Sequence, residues 1–293
     1  MAETLRMGLV GAGPWANLVH APLLAGGPGT SLEAVWARRH DAAQELAQRY
    51  GATAVSSYDE LLERCDAVAF AVPPGVQASL APRAAAAGKH LLLEKPLAFD
   101  LADAERLAQA VEEAGVRTLL FLTNRFTAEC RAFLEQVAAT EPQGAQLGFV
   151  GGGSRAGELF ATPWRVERGA LLDLGPHALD LLDATLGPVE EVTAVGDPLR
   201  MLALTTRHES GSVGQAMLSI TAPGAVGGLL CTVHTDAGPV VFDTDTIRDD
   251  AAFMPTIAAE LAESVATGRP HPIDVRRGLM LQRLLDQAER SLG

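Results

Sequence analysis

A glycine-rich turn at residues 11–16 follows a short apolar segment that predicts a strand. The turn fits the pattern G-x-G-x-x-G/A through Gly11, Gly13 and Ala16. In this pattern the first glycine permits a tight turn, the second lets the backbone approach a pyrophosphate, and the small third residue lets the next helix pack on the strand. We therefore predict a dinucleotide site formed by Gly11, Gly13, Pro14, Trp15 and Ala16. An ordinary glycine-rich turn is the alternative.

Strand-like and helix-like segments alternate through the first 122 residues. The predicted strands are 5–10, 31–37, 53–55, 67–72, 90–93 and 116–122, and the predicted helices are 15–24, 41–50, 58–64, 77–87 and 101–114. This alternation indicates βαβ units and a parallel sheet. Residues 1–122 thus predict a doubly wound Rossmann domain of the α/β class.

The pattern changes after residue 122. A strand is predicted at 147–150 and an amphipathic helix at 171–186. Five strand-like segments follow at 189–195, 201–206, 213–221, 228–235 and 239–242, and helices are predicted at 251–266 and 275–291. Short turns between the strands favour an antiparallel meander. We predict that residues 123–293 form an α+β domain for substrate binding and oligomerisation, with a mostly antiparallel sheet.

Charge and cysteine content restrict the partners. The formal net charge of −13 argues against nucleic acid, which needs a basic surface, although a small phosphorylated ligand needs only a local basic patch. No apolar stretch reaches the ~18–20 residues of a membrane helix, and no signal peptide is evident, so no membrane association is expected. Cys65, Cys130 and Cys231 lie far apart without a CxxC motif. This spacing favours a reduced, cytoplasmic chain without structural zinc.

The end of the second predicted strand bears on the choice of dinucleotide. NAD sites usually place an acidic residue about 20 residues beyond the glycine loop, where it bonds the ribose 2′-hydroxyl. Here Ala37 stands at that position, and Arg38 and Arg39 follow it. Guanidinium groups suit a 2′-phosphate, so we expect NADP, with NAD as the alternative. The competing interpretation is that both arginines are solvated at a helix start, where the helix dipole disfavours them.

A charged pair, Glu94 and Lys95, follows the predicted strand 90–93 at the sheet edge where doubly wound folds bind ligands. Only two of the 23 basic residues are lysines, Lys89 and Lys95. Lysine is a compact donor whose proton affinity responds to burial, unlike that of arginine. We therefore predict that Lys95 is catalytic and that a cis bond at Pro96 aims it. A plain salt bridge to Glu94 is the alternative.

A second group of polar residues lies on the predicted helix 171–186. Asp173, His177 and Asp180 are spaced four and three residues apart, so they share one helix face. A histidine between carboxylates suits acid–base chemistry near neutral pH. A structural histidine is the alternative; zinc lacks a convincing further set of ligands, so no metal is predicted.

These motifs, in this order, resemble the Gfo/Idh/MocA family, which includes glucose–fructose oxidoreductase and inositol dehydrogenase. The resemblance rests on the glycine loop, Glu94-Lys95-Pro96, Asn124-Arg125-Phe126, Trp164-Arg165 and Asp173-x-Gly175-x-His177-x-x-Asp180. It implies an oxidoreductase interconverting an alcohol and a carbonyl on a sugar, polyol or related molecule. The implied catalytic residues are Lys95, Asp173 and His177, and the implied substrate residues include Arg125, Trp164 and Arg165. Pro73 and Glu94 join the implied cofactor site, and the family implies a homodimer or higher homo-oligomer formed through the open face of the second sheet.

One departure from the family and two other functions bear on this prediction. After the fourth strand the family often has Thr-Pro-Asn and a histidine three residues on, whereas this chain has Val72-Pro73-Pro74 and Gln77. A non-catalytic NAD(P)-binding sensor of the same fold is the alternative function. A dehydrogenase for a nucleotide-linked or carrier-bound sugar is a third, in which a phosphate would meet Arg125, Arg155, Arg165 or Arg168.

Overall fold

The computed structural model describes residues 4–155, 157–158, 161–247, 249 and 251–292. The chain divides into two compact units. The first contains Met1–Phe126 and Ala251–Leu279, and the second contains Thr127–Asp250 and Met280–Gly293. This division differs from a single cut after residue 122, because a segment from the C-terminal part of the chain clusters with the first unit.

The first 126 residues alternate strictly between strands and helices. The strands are β1 (Leu5–Val10), β2 (Thr30–Trp36), β3 (Thr53–Ala54), β4 (Ala67–Phe70), β5 (His90–Leu93) and β6 (Thr118–Leu120). A π-helical segment, Ala16–His20, continues into α1 (Ala21–Gly26), and then come α2 (His40–Tyr50), α3 (Tyr58–Arg64), α4 (Pro74–Ala86) and α5 (Leu101–Ala114). A 3₁₀ turn, Thr123–Phe126, follows β6. Local signals set these limits: the Ser57 and Asp100 side chains cap α3 and α5, and left-handed Gly51 and Gly115 end α2 and α5.

The sheet of the first unit confirms the predicted doubly wound architecture. Its six strands are all parallel, in the order β3-β2-β1-β4-β5-β6. Strand order reverses between β1 and β4, and ligands of such sheets bind at the carboxyl ends of the strands beside that point. β4 is buried along its whole length, as the continuous apolar run predicted.

The elements after residue 126 form the remainder of the structure. They are α6 (Ala128–Ala138), β7 (Pro142–Gly151), α7 (Pro163–Leu186), β8 (Val189–Gly196), β9 (Leu202–His208), β10 (Val213–Ser219), β11 (Val226–Thr235), β12 (Gly238–Asp243), a 3₁₀ turn (Thr244–Thr246), α8 (Phe253–Thr267) and α9 (Val275–Ser291). α6 was not predicted, and β7 begins five residues before the predicted strand. Among the described residues, no helix is long and apolar enough to cross a membrane.

The second sheet is mostly antiparallel, as predicted, but it is not a simple meander. Its order is β12-β11-β7-β10-β9-β8. β7 lies between β11 and β10, and it pairs with β10 in parallel. The meander prediction is therefore wrong at this pairing, because adjacent strand-like segments do not reveal that an earlier strand separates them.

The long helix α7 bends sharply at Gly169. This residue has φ +72°, and a Cβ there would lie 2.2 Å from the carbonyl oxygen of Pro198. The Ala170 N–H donates to the same oxygen at 2.8 Å. Glycine is thus required by both conformation and space, and the predicted helix start at 171 corresponds to the second half of α7.

Candidate functional site

The glycine loop has the geometry that its pattern predicts. Gly11 adopts φ +117°, and a Cβ there would lie 2.4 Å from the carbonyl oxygen of Ala71. Its N–H donates to the carbonyl oxygen of Trp36 at 2.8 Å, which ties the start of the loop to the end of β2. Around Gly13, by contrast, the described residues other than its two chain neighbours place no heavy atom within 4 Å of the position of a Cβ. The loop therefore packs tightly at Gly11 and leaves open space at Gly13, as a close approach of a ligand to the backbone requires.

The helix after the loop is held by an asparagine that the sequence analysis did not select. Asn17 Nδ2 donates to the carbonyl oxygens of Ala12 and Gly13 at 3.1 and 3.0 Å. Asn17 Oδ1 accepts from Arg49 Nη1 at 3.1 Å. Ala16 is fully buried, which agrees with the need for a small residue where this helix packs on the sheet. A lone asparagine four residues beyond Gly13 carries no signal that reveals this role in advance.

A cavity of about 400 Å³ opens at the carboxyl ends of β1, β2 and β4. It brings together five of the predicted cofactor residues: Gly11, Gly13, Arg38, Arg39 and Pro73. Arg38 and Arg39 are exposed, and neither side chain has a hydrogen bond or ion pair with the described residues. These residues fit a dinucleotide. The open space at Gly13 leaves room for a pyrophosphate beside the loop, and the guanidinium groups of Arg38 and Arg39 can bind an anion.

The turn after β5 carries the predicted catalytic lysine. Lys95 and Glu94 are half-buried, and the bond from Lys95 to Pro96 is cis, as predicted. Glu94 Oε1 accepts from Trp15 Nε1 at 2.6 Å and lies 2.7 Å from His20 Nε2. Trp15 and Glu94 are thus brought together with each other, but they are not among the residues that line the cavity.

Gln77 holds the main chain of the same turn. Its Oε1 accepts from the Glu94 N–H at 2.8 Å, and its Nε2 donates to the carbonyl oxygens of Glu94 at 2.9 Å and Leu97 at 3.1 Å. The Gln77 side chain is fully buried. The departure from the family pattern at this position therefore replaces a histidine by an amide, which accepts from the N–H of Glu94 and donates to the carbonyl oxygen of the same residue.

The second unit brings together four predicted site residues. Arg165 Nε lies 3.1 Å from Asp173 Oδ1, and the Arg165 guanidinium lies over the Trp164 ring, 4.5 Å from its centroid. Asp173 is buried, and His177 is half-buried one helical turn later. The His177 ring meets Phe149 of β7 edge-on, with centroids 6.1 Å apart. Since the ion pair is mostly shielded from water, it fixes Asp173 more firmly than an exposed pair could.

The remaining predicted arginines are divided between the two units. Arg125 lies in the 3₁₀ turn of the first unit, whereas Arg155, Arg165 and Arg168 belong to the second. Arg168 faces Glu289 at 3.4 Å. Among the described residues, no group of three or more His, Cys, Asp or Glu side chains is arranged to hold a metal ion.

Comparison with families of known proteins agrees with both units. The family model described as "Oxidoreductase family, NAD-binding Rossmann fold" (GFO_IDH_MocA) matches residues 5–121. The model described as "GFO/IDH/MocA C-terminal domain" matches residues 128–241.

Individual relatives and solved structures point the same way. A dTDP-3,4-didehydro-2,6-dideoxy-alpha-D-glucose 3-reductase of Streptomyces violaceoruber is 32% identical over 71% of this chain and 59% of its own length. The reductase of the same name from Actinomadura kijaniata is 31% identical over 68% of this chain and 60% of its own length. The crystal structure of GenD2 from gentamicin A biosynthesis, in complex with NAD, is 25% identical, with a TM-score of 0.88 over 99% of this chain and 95% of that chain. The two reductases are thus matched over about three fifths of their length.

Proposed function

The chain belongs to the Gfo/Idh/MocA family of oxidoreductases with an NAD-binding Rossmann fold, and we propose that it interconverts an alcohol and a carbonyl on a sugar or sugar derivative with NADP as the preferred cofactor. The observation that carries this proposal is the cavity at the switch point of the first sheet, lined by the glycine loop and by two arginines. The family supplies the reaction class, and the cavity supplies the place for the dinucleotide.

The preference for NADP rests on Arg38 and Arg39. In this proposal Gly11 and Gly13 receive the pyrophosphate, and the two guanidinium groups bond a 2′-phosphate with charge-assisted hydrogen bonds. Ala37 replaces the acidic side chain that would bond a free 2′-hydroxyl. The related GenD2 structure contains NAD, so the proposed preference comes from the arginines of this chain alone.

The nicotinamide supplies hydride transfer when it is bound, and the side chains supply the proton chemistry. We assign to Lys95 a hydrogen bond to the substrate oxygen, which stabilises the negative charge that develops there. His177 takes the hydroxyl proton during oxidation and returns it during reduction. Arg165 holds Asp173 through their ion pair, so that Asp173 orients the substrate or His177.

Nucleotide-linked sugars are the second candidate substrate class. The observation that favours them is the pair of relatives named as dTDP-sugar 3-reductases. Arg155 is exposed and is one of the arginines available for a diphosphate. Substrate screening therefore starts with free sugars and polyols and then adds their nucleoside diphosphate derivatives.

The first test is a titration of the protein with NADPH and NADH, followed by nicotinamide fluorescence. We expect NADPH to bind at least tenfold more tightly, a difference of about 1.4 kcal/mol. The double variant Arg38→Ala/Arg39→Ala is expected to lose this preference with little change in NADH binding. Arg83→Ala, which alters an exposed arginine paired with Asp59, is the control. Tighter binding of NADH by the unaltered protein would refute the NADP assignment, and binding of neither cofactor would favour a non-catalytic sensor.

The second test concerns the catalytic residues. Lys95→Met and His177→Asn are each expected to lower kcat by ~10²–10⁴-fold on a substrate found in the screen, since each removes a group that acts on the reacting oxygen. Lys89→Met is a matched control, because Lys89 is the other lysine and its Nζ donates to the carbonyl oxygen of Cys65 at 2.9 Å. Normal turnover in both site variants would contradict the mechanism.

A further inference from the structure

The carboxylate of Glu94 joins the two parts of the first unit that the proposed function uses. Trp15 lies two residues beyond Gly13, and its Nε1 donates to Glu94 Oε1 at 2.6 Å. Glu94 directly precedes Lys95. One hydrogen bond therefore connects the start of the helix that follows the glycine loop with the turn that carries the lysine.

His20 provides the second contact of the same oxygen atom. Its side chain is fully buried, and its ring stacks on Phe121 with centroids 4.7 Å apart. Nε2 lies 2.7 Å from Glu94 Oε1, while Nδ1 has no hydrogen-bond partner among the described residues. A proton on Nδ1 would be a buried donor without an acceptor, which is costly. The hydrogen-bond network thus assigns the proton to Nε2, so that His20 also donates to Glu94.

The main chain of Glu94 is held independently of its side chain. Gln77 bonds both the N–H and the carbonyl oxygen of this residue, at 2.8 and 2.9 Å. Glu94 accepts two side-chain donors and exchanges two bonds with a buried amide. Four hydrogen bonds leave few side-chain rotamers and backbone angles available to Glu94. The backbone of the next residue, Lys95, is restricted as a result.

We propose that Glu94 is a positioning residue: held by Trp15, His20 and Gln77, it fixes Lys95 relative to the glycine loop. This inference rests on the proposed function and adds to it a residue that touches neither hydride nor proton. The carboxylate acts as a hydrogen-bond acceptor here, so an uncharged acceptor of the same shape preserves most of the effect, whereas an apolar side chain of similar size abolishes it.

The experiment compares Glu94→Leu with Glu94→Gln. Because a misplacement of about 1 Å can cost roughly 10²-fold in rate, we expect Glu94→Leu to lower kcat by at least about 30-fold. Glu94→Gln keeps the acceptor and is expected to lose no more than about fivefold, a weakening that fits neutral in place of charge-assisted bonds. The KM for the cofactor is expected to change less than kcat in both. Should Glu94→Leu fail to fold, Trp15→Phe removes one donor and is expected to lower kcat by an intermediate factor.

A second readout needs neither substrate nor cofactor. The protein has three tryptophans, so the indole N–H of Trp15 is assigned in a ¹H–¹⁵N spectrum by its loss in Trp15→Phe. Its low-field proton shift and slow exchange are expected to persist in Glu94→Gln and to disappear in Glu94→Leu. Glu260→Leu is the control, because it breaks another glutamate–histidine pair of the first unit, with His271 at 3.1 Å, and is expected to lower stability without lowering kcat.

The outcomes separate this inference from the proposed function. Equal kcat losses in Glu94→Gln and Glu94→Leu would assign the effect to charge rather than to positioning and would overturn the inference. Unchanged kcat in Glu94→Leu, or an equal loss in Glu260→Leu, would also overturn it while the proposed function stands. Failure of the unaltered protein to bind either nicotinamide cofactor would overturn both.

Discussion

Alanine substitutions at Gly11 and Gly13 of the same loop are expected to have different effects on stability and on cofactor binding. Gly11→Ala places a methyl group 2.4 Å from the Ala71 carbonyl oxygen in a backbone with φ +117°, so it is expected to lower the free energy of unfolding by about 2 kcal/mol or more. Gly13→Ala meets open space and is expected to change stability by less than about 0.5 kcal/mol, but to weaken NADPH binding at least tenfold. Urea unfolding and cofactor titration measure the two effects. Equal stability of both variants would contradict the geometry.

Single residues also show where sequence reasoning stops. The types and positions of Gly11, Arg38, Lys95 and His177 follow a local pattern, so the sequence predicts them as site residues. Their supporting contacts are not local: Gln77 reaches a turn 17 residues away, and Trp15 reaches Glu94 across 79 residues. A local sequence pattern predicts the candidate reacting residue. The residues that hold it in position are set by which strands are neighbours in the sheet, and a local pattern does not show this.

Strand β5 contains a titratable histidine, His90, through which stability is expected to depend on pH. His90 Nδ1 accepts from the Arg117 N–H at 2.9 Å, and burial, followed by the charge of Arg117, lowers the pKa of His90 below its ordinary value. The unfolded chain therefore binds more protons below about pH 6.5, and stability falls as the pH drops through that value. We expect the melting temperature to decrease between pH 7 and pH 5, and the decrease to be smaller in His90→Asn, which keeps an acceptor. An identical pH dependence of the unaltered protein and His90→Asn would refute this assignment.

The helices that the sequence predicted most accurately are those whose ends are set by neighbouring residues in the chain. The caps at Ser57 and Asp100 and the left-handed glycines after α2 and α5 are readable in sequence, and the predicted helices match there. The helix break at Gly169 depends on the Pro198 carbonyl oxygen, 29 residues away by residue number. The insertion of β7 beside β10 depends on pairing across more than 60 residues. Neither leaves a periodic signal in a window of the length that sequence analysis uses.

At the scale of the whole molecule, residues 251–279 belong to the first unit, although they follow most of the second unit in the chain. The Leu120 N–H donates to the Ile273 carbonyl oxygen at 2.8 Å, and the Val275 N–H donates to Thr118 Oγ1 at 3.0 Å. The rings of Phe121 and Phe253 meet edge-on, 5.9 Å apart. These contacts explain why residues 251–279 belong to the unit that contains the glycine loop. A cut placed by composition along the chain does not reveal such a return.

The second sheet presents one face that its own helices leave open. α7 packs against β7, β9 and β10 on the face where Leu218 is buried, whereas Met217 and Leu230 of the opposite face are 44% and 49% exposed. A register row across this face contains Leu230, Gly148, Met217, Ala203 and Val195, and the next row contains Thr232, Gln146, Gln215 and Thr205. From β11 to β8 both rows lack charged side chains, and Asp243 of β12 pairs with Leu230 at one end of the first row. Depletion of charge is typical of the core of a protein interface.

We therefore expect the protein to form a dimer or higher oligomer through this face. Met217 and Leu230 both lie in the first row, so Met217→Lys and Leu230→Lys place two positive charges there. In a two-fold interface the same patch of each copy takes part, so like charges approach one another and disfavour association. Size-exclusion chromatography with light scattering at micromolar concentration is expected to show an oligomer for the unaltered protein and a monomer for the double variant. Val166→Lys changes another exposed apolar residue of the second unit and is expected to leave the oligomer intact. A monomeric unaltered protein would contradict the expected oligomer. A double variant that stays oligomeric would show that the interface lies elsewhere, because burying lysines in this face would carry a large cost.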